Sequence, residues 1–113
     1  MLLIEKIIID FINSESPVNA YLQIPSSPPE KYIIVDKIGS KEKNFIHESS
    51  LALQSYAPTL QECAELSEAL MELSSRLVEL DEIIKVEIVR NYDFTNPEKK
   101  QHRYQTVIRV RHY

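Results

Sequence analysis

The side chains able to do acid–base, nucleophilic or metal chemistry in this chain are few, and their spacing does not suit that work. His47, His102 and His112 have no Glu or Cys partner at metal-ligand spacing. His47-Glu48 begins no H-E-x-x-H motif, because Leu51 stands where the second histidine is required. Ser49-Ser50, Ser55, Ser67 and Ser74-Ser75 lie in no G-x-S-x-G turn, and Gly39 is the only glycine. The same lone glycine excludes a glycine-rich phosphate loop. Cys63 is the single cysteine, so neither an intramolecular disulfide nor a cysteine metal cluster can form. It stands among apolar positions at helical spacing and reads as a small buried hydrophobe of a reducing compartment. Glu62 and Glu65 are explained by helix capping and solvation rather than by proton transfer. The expectation is a non-enzymatic domain with no catalytic, cofactor-binding or metal residues.

One further constellation has chemical meaning. Arg90, Tyr92, Phe94, Arg103, Tyr104, Arg109 and Arg111 mix positive charge with stacking groups near the end of the chain. Single-stranded nucleic acid is held by such mixtures. Tyr92 and Phe94, however, continue the alternation of Ile84, Val86 and Ile88, which makes them inward-facing core. An acidic helix upstream would also repel a phosphate backbone. Direct nucleic-acid binding is not expected.

The charge is unevenly placed. Across residues 59–82 there are seven acids (Glu62, Glu65, Glu68, Glu72, Glu79, Asp81 and Glu82) against one base, Arg76. Across residues 83–113 there are seven bases against three acids, although the whole chain carries only −4. A uniformly basic nucleic-acid binder does not look like this. A chain that meets copies of itself head to tail can use such a split; two differently charged solvated faces are the plainer alternative. At 113 residues, 43% hydrophobic and 27% charged, one domain over residues 1–113 with its own core is expected. No stretch reaches the roughly 20 apolar residues of a membrane span. The start, MLLIEKIIIDFI, is broken by Glu5, Lys6 and Asp10, unlike a signal peptide. A soluble chain, intracellular when made, is the expectation.

These residues must be positioned by a small set of elements. Leu3, Ile4, Ile7, Ile8, Phe11 and Ile12 recur at helical spacing over residues 2–13, with Ile9 off the stripe as a second contact surface. Pro17 closes this helix. Tyr21 to Ile24 reads as a short strand, followed by a stiff Pro/Ser loop through Pro29. Lys31 to Ile38 is a second strand, and Gly39 with Ser40 to Lys43 marks a turn. Phe45 to Ala57 alternates, with Phe45, His47, Ser49, Leu51, Leu53 and Ser55 on one face and a bulge expected near Ser49-Ser50. Pro58 ends it. Thr59 and Glu62 form a T-x-x-E capping box, and a helix runs from about Leu60 to Leu80. Its apolar stripe is Cys63, Leu66, Leu70, Leu73, Leu77 and Leu80, laid on a sheet rather than in a coiled coil. Ile84–Val89 and Tyr104–Arg111 form a closing hairpin around a long polar loop, Thr95–Gln101. The predicted fold is α+β in the order α-β-β-β-α-β-β. It is a mostly antiparallel sheet of four to five strands, with two helices on one face and the other face left to solvent or a partner.

Several stretches carry a resemblance when taken in order. They are Val18–Pro25, Pro28–Val35, the Gly39 turn, Leu51–Ala57, Glu62-Cys63-Ala64-Glu65-Leu66, Tyr92-Asp93-Phe94 and Arg103–Val107. Together they are similar to the small tail-terminator, or minor tail, proteins of long-tailed phages and prophages of Gram-positive bacteria. The family's turn often carries a second glycine, where this chain has Ser40. The resemblance implies a virion structural protein of the tail, assembled in the bacterial host cytoplasm. It implies a homo-oligomeric ring, typically a hexamer, on the last ring of the tail tube. That ring ends tube polymerisation and offers the surface for head joining. The implied partners are the major tail tube protein and head–tail connector proteins, with no cofactor and no membrane. Under this reading Glu65, Glu68 and Glu72 on the helix, and Arg103, Arg109 and Arg111 on the hairpin, are the subunit-interface candidates. The 95–101 loop, with Lys99 and Lys100, would face the tube, its lumen or the connector. A head–tail connector or head-closure neck protein is the nearest alternative. A small host nucleic-acid-binding or regulatory domain is the alternative of another class.

Overall fold

The computed structural model describes residues 3–99 and 101–113. The element order is α1 (Ile4–Glu15), β1 (Ala20–Tyr21), β2 (Tyr32–Lys43), β3 (Ile46–Tyr56), α2 (Leu60–Ser75) with a 3-10 turn (Arg76–Glu79), β4 (Ile83–Asp93) and β5 (Arg103–His112). The fold is the predicted α+β arrangement, α-β-β-β-α-β-β, with a C-terminal hairpin. The five strands form one sheet in the order β1-β2-β3-β5-β4. β1 runs parallel to β2, through Ala20 opposite Ile33, and the other ladders are antiparallel. The sheet is therefore mixed.

Both helices cover the same face. Ile4, Ile8, Phe11 and Ile12 of α1 and Leu66 and Leu70 of α2 share a core with Ile33, Val35, Leu51, Leu53, Ile108 and Val110 of the strands. The expected stripe on α2 is buried where it matters most: Cys63, Leu66, Leu70 and Leu77 are inside, and Leu73 and Leu80 pack at the margin. Ile9 packs at the same margin rather than on a second surface. Burial raises the Cys63 thiol pKa, and the sulfur lies 3.7 Å from the Ala57 carbonyl. Thr59 caps α2 by accepting the Glu62 N–H at 3.2 Å. The reciprocal half of the capping box is not made, because the Glu62 carboxylate takes the Thr59 hydroxyl instead, at 3.1 Å.

Three expectations give way. Gly39 makes no turn: it lies within β2, beside a register shift between Lys37 and Gly39. The chain reverses at Asn44-Phe45, both at positive φ, in a two-residue hairpin loop closed by Lys43 and Ile46. The bulge expected near Ser49-Ser50 is instead on the facing strand. β3 pairs with β5 without a break from His47 to Tyr56. The first predicted strand shortens to Ala20–Tyr21, and the exposed Leu22 and Ile24 lie outside it. Asn13 ties this short strand to α1, accepting the Ala20 N–H at 2.7 Å.

Bulges also re-aim β4. Register shifts fall between Ile83 and Lys85 and between Ile88 and Arg90. Ile83, not Ile84, enters the core, and Val86 and Ile88 follow it. After the second bulge Asn91 faces the helix, and Tyr92 lies on the open face opposite Gln105. Tyr92 and Phe94 therefore do not continue the inward set. Each bulge twists the strand and leaves an extra residue unpaired. On an outer strand this also protects the exposed edge against pairing with another chain.

Candidate interaction surfaces

The interface candidates fall on two opposite sides. α2 lies over the apolar face of the sheet, and Glu65, Glu68 and Glu72 on it are exposed. Arg103, Arg109 and Arg111 share the other face of β5 with Gln105 and Val107. Acidic and basic candidates are thus separated by the thickness of the domain, and they do not form one site. Lys99 is exposed in the β4–β5 loop, and Lys100 lies outside the described residues. That loop, residues 94–102, is braced from within. Asn96 and Gln101 bridge across it, and Phe94 donates its N–H to the Arg103 carbonyl at 2.9 Å.

Strand register orders the open face into rows. One row runs Lys41, Glu48, Arg111, Lys85, and the next runs Gly39, Ser50, Arg109, Glu87. Lys41 meets Glu48 at 2.9 Å, and Arg109 meets Glu87 at 3.2 Å. The hydrogen bond from Lys41, helped by Arg109 and Arg111, holds the Glu48 carboxyl below its ordinary range. Such exposed pairs contribute little stability; here they fix the charge pattern. The acids on this face offset only part of its positive charge, since Arg90, Lys43 and Lys85 add to it.

The same face changes character towards the start of β2. Tyr32 and Tyr56 stack with centroids 4.6 Å apart. Gln54, Gln105 and Tyr92 form a hydrogen-bonded chain across three strands. Arg103 is locked at its end. Its Nε donates to the Phe94 carbonyl at 2.6 Å, its guanidinium lies 4.4 Å from the Phe94 ring centre, and a second nitrogen reaches the Tyr56 hydroxyl at 3.3 Å. Arg103 is thus a structural clamp as well as a surface charge. Burial, then the neighbouring Tyr56, raises the Tyr32 hydroxyl pKa.

These rings floor a pocket of about 460 Å³, walled by Ile24, Ala57 and Pro58 and rimmed by Glu30, Lys99, Gln101 and His102. Nδ1 of His102 is buried without a hydrogen-bond partner among the described residues. At the far end of the same hairpin stands Phe45, 88% exposed, at φ 67°. Neither feature was singled out in the sequence. An aromatic closing the charged run Lys41-Glu42-Lys43-Asn44 was the one available signal for the tip. The pocket depends on a β2–β3 register that residue patterning does not reveal.

Polar groups also sit beneath α2. Asn91 donates to the Ser67 hydroxyl at 3.3 Å and accepts from the Thr106 hydroxyl at 3.0 Å. Near the β2–β3 turn the His47 and His112 rings stack at 5.3 Å, with Ser49 2.9 Å from His112 Nε2. Among the described residues no three His, Cys, Asp or Glu side chains are grouped to hold a metal ion. No described helix is long and apolar enough to cross a membrane. What the geometry offers is a set of contact surfaces: two charged faces, a pocket and the exposed β2–β3 turn. No protein-family model matches this chain, and no curated protein matches it.

Proposed function

We propose that this chain is a structural subunit of a phage or prophage tail, closing as a homo-oligomeric ring at the head-proximal end of the tail tube. There it would end tube polymerisation and present the head-joining surface. The observation that supports the reading is the placement of the acidic α2 face and the basic sheet face on opposite sides of one thin domain. A subunit with unlike faces associates through two different patches. Such contacts close into rings when the rotation allows. The likeness of Val18–Pro25, Leu51–Ala57 and Arg103–Val107 to tail-terminator proteins supplies the tube as the context. Glu65, Glu68 and Glu72 would meet Arg109 and Arg111 of the next subunit, while Lys99 faces the tube or a connector.

The test is electron microscopy of purified tail tubes with added protein, alongside its mass in solution. The expected outcome is a ring at one tube end. Reversing Arg109 and Arg111 to Glu is expected to prevent it while the circular dichroism melt stays within about 1 kcal/mol of the parent. A strict monomer that leaves tube ends uncapped overturns the reading. A protein that binds the head portal but not the tube places it among connector or head-closure proteins instead.

One observation favours a second reading. Tyr92 and Phe94 stand with Arg90 and Arg103 at the open face, which is the composition of a single-strand stacking platform. Gel shifts at low salt decide it. Binding that falls steeply with added salt supports a nucleic-acid module, and no shift removes it.

A further inference from the structure

We propose that the β2–β3 arm docks its Phe45 tip into the Tyr32–Tyr56 pocket of a second copy of this chain, joining copies end to end. The inference rests on the homo-oligomeric reading above and adds an end-to-end contact, separate from the face-to-face pairing of α2 with β5 proposed there. Asp36 to Lys43 carry no helix over them and no strand on their outer side, and all eight residues are exposed. The turn that ends this charged stretch is apolar: Phe45 is 88% exposed, with the half-exposed Ile46 next to it.

Phe45 is in the left-handed region, where a bulky side chain is strained. Glycine is the residue such a turn favours. A large exposed aromatic at that position suits a contact outside the subunit better than the turn itself, and strain of this kind concentrates at functional sites.

The pocket matches in size and in chemistry. Its volume of about 460 Å³ is in the range of small-ligand sites, and the exposed Ile24 and Pro58 give an aromatic ring apolar walls above the buried tyrosine stack. The rim carries one charge of each sign, Glu30 and Lys99, and the residues before the tip carry Lys41, Glu42 and Lys43, so both rim charges have an opposite partner there. Tip and pocket lie at opposite ends of β2. Its 12 residues extend roughly 36 Å at about 3.3 Å each, most of the molecule's 44 Å long axis. One subunit therefore cannot satisfy its own pocket. A tip and pocket at opposite ends make a heterologous contact, which gives closed rings or open filaments.

The experiment mixes two singly substituted proteins, Asn44→Cys and Glu30→Cys, with a short bismaleimide; Cys63 is buried and stays silent. The expected product joins one copy of each, and neither variant alone gives it. No mixed product overturns the contact. A second variant, Phe45→Gly, suits the turn and removes the ring. It is expected to keep or raise the melting temperature while self-association, read by sedimentation, weakens about thirtyfold or more. Unchanged self-association overturns the contact. Rings that persist on tube ends with Phe45→Gly retain the tail reading and reject this contact. Cross-linked open chains without rings retain the contact and reject ring closure.

Discussion

One strand, β2, holds two regions that obey different rules. Tyr32 to Val35 is buried on both faces, with Ile33 and Val35 under α1 and Tyr32 and Ile34 beneath the aromatic cluster. Asp36 to Lys43 is exposed throughout. The break coincides with the end of helix cover and the bulge at Lys37/Gly39. Before it, side chains are chosen by packing. After it, they are charged, with a few apolar groups at the end. The ladder with β3, shifted once at Lys37/Gly39, carries both halves, and β5 backs β3 as far as His47, so the exposed half is held in line with the core half. Stability and recognition are thus spread along one hairpin rather than mixed at each position.

The sharpest way to test that division is a core truncation set against an arm truncation. Leu53 in β3 is fully buried between the two helices and the sheet. Leu53→Ala is expected to cost about 3 kcal/mol, from lost transfer energy and the cavity left behind. Ile38→Ala in the arm, at 55% exposure, is expected to stay within about 0.5 kcal/mol. Urea unfolding of both proteins reads the two values. Similar losses at the two sites would show that the arm is part of the core.

The same division explains which parts were legible in the residues. The stripe from Cys63 to Leu80 survives because a helix on a sheet keeps its 3.6-residue period whatever the neighbours do. The parity of Arg103, Arg109 and Arg111 is equally plain, since β5 runs without a bulge against β3. Bulges defeat this kind of reading. The two in β4 reverse the faces of Ile84 and Tyr92, and no residue type announces them. Gly39 drew the turn away from Asn44-Phe45 because glycine is the usual marker of reversal, whereas here it fills an open position in a strand. Of the candidate surfaces, the charges were visible one by one. Their opposition across the sheet needed the helix layer, and the pocket needed the pairing of Tyr32 with Tyr56.

A pH series probes the exposed half of the hairpin, where His112 contacts Ser49, opposite Ser40, and stacks on His47, opposite Glu42. Burial lowers the His112 pKa below its ordinary 6.5, with His47 and Lys37 adding to the effect against the Tyr113 carbonyl and Glu5. The unfolded chain therefore binds this proton more readily than the folded one. Stability is unaffected well above pH 6.5, begins to fall as the pH drops below that value, and stops falling once the pH is below the folded pKa. Denaturation midpoints between neutral and mildly acidic pH are expected to decline in the parent and to decline less in His112→Gln. Equal declines would place the acid sensitivity elsewhere in the molecule.

The smallest expected effect tests whether Gly39 is needed for the bulge. A methyl group built there meets only the Ser50 Cβ, at 4.0 Å, which is ordinary contact, and the backbone is not in the positive-φ region. Glycine in a strand costs conformational entropy on folding that alanine does not. Gly39→Ala is therefore expected to stabilise the protein by about 0.5 kcal/mol, read as a small rise in the urea midpoint. If the arm is a rigid extension of the core ladder, the stiffer backbone also leaves the Asn44→Cys to Glu30→Cys cross-link at parental yield. A loss of stability would mean that the bulge at Lys37/Gly39 flexes through conformations only glycine reaches, and that the arm is hinged where the helices stop.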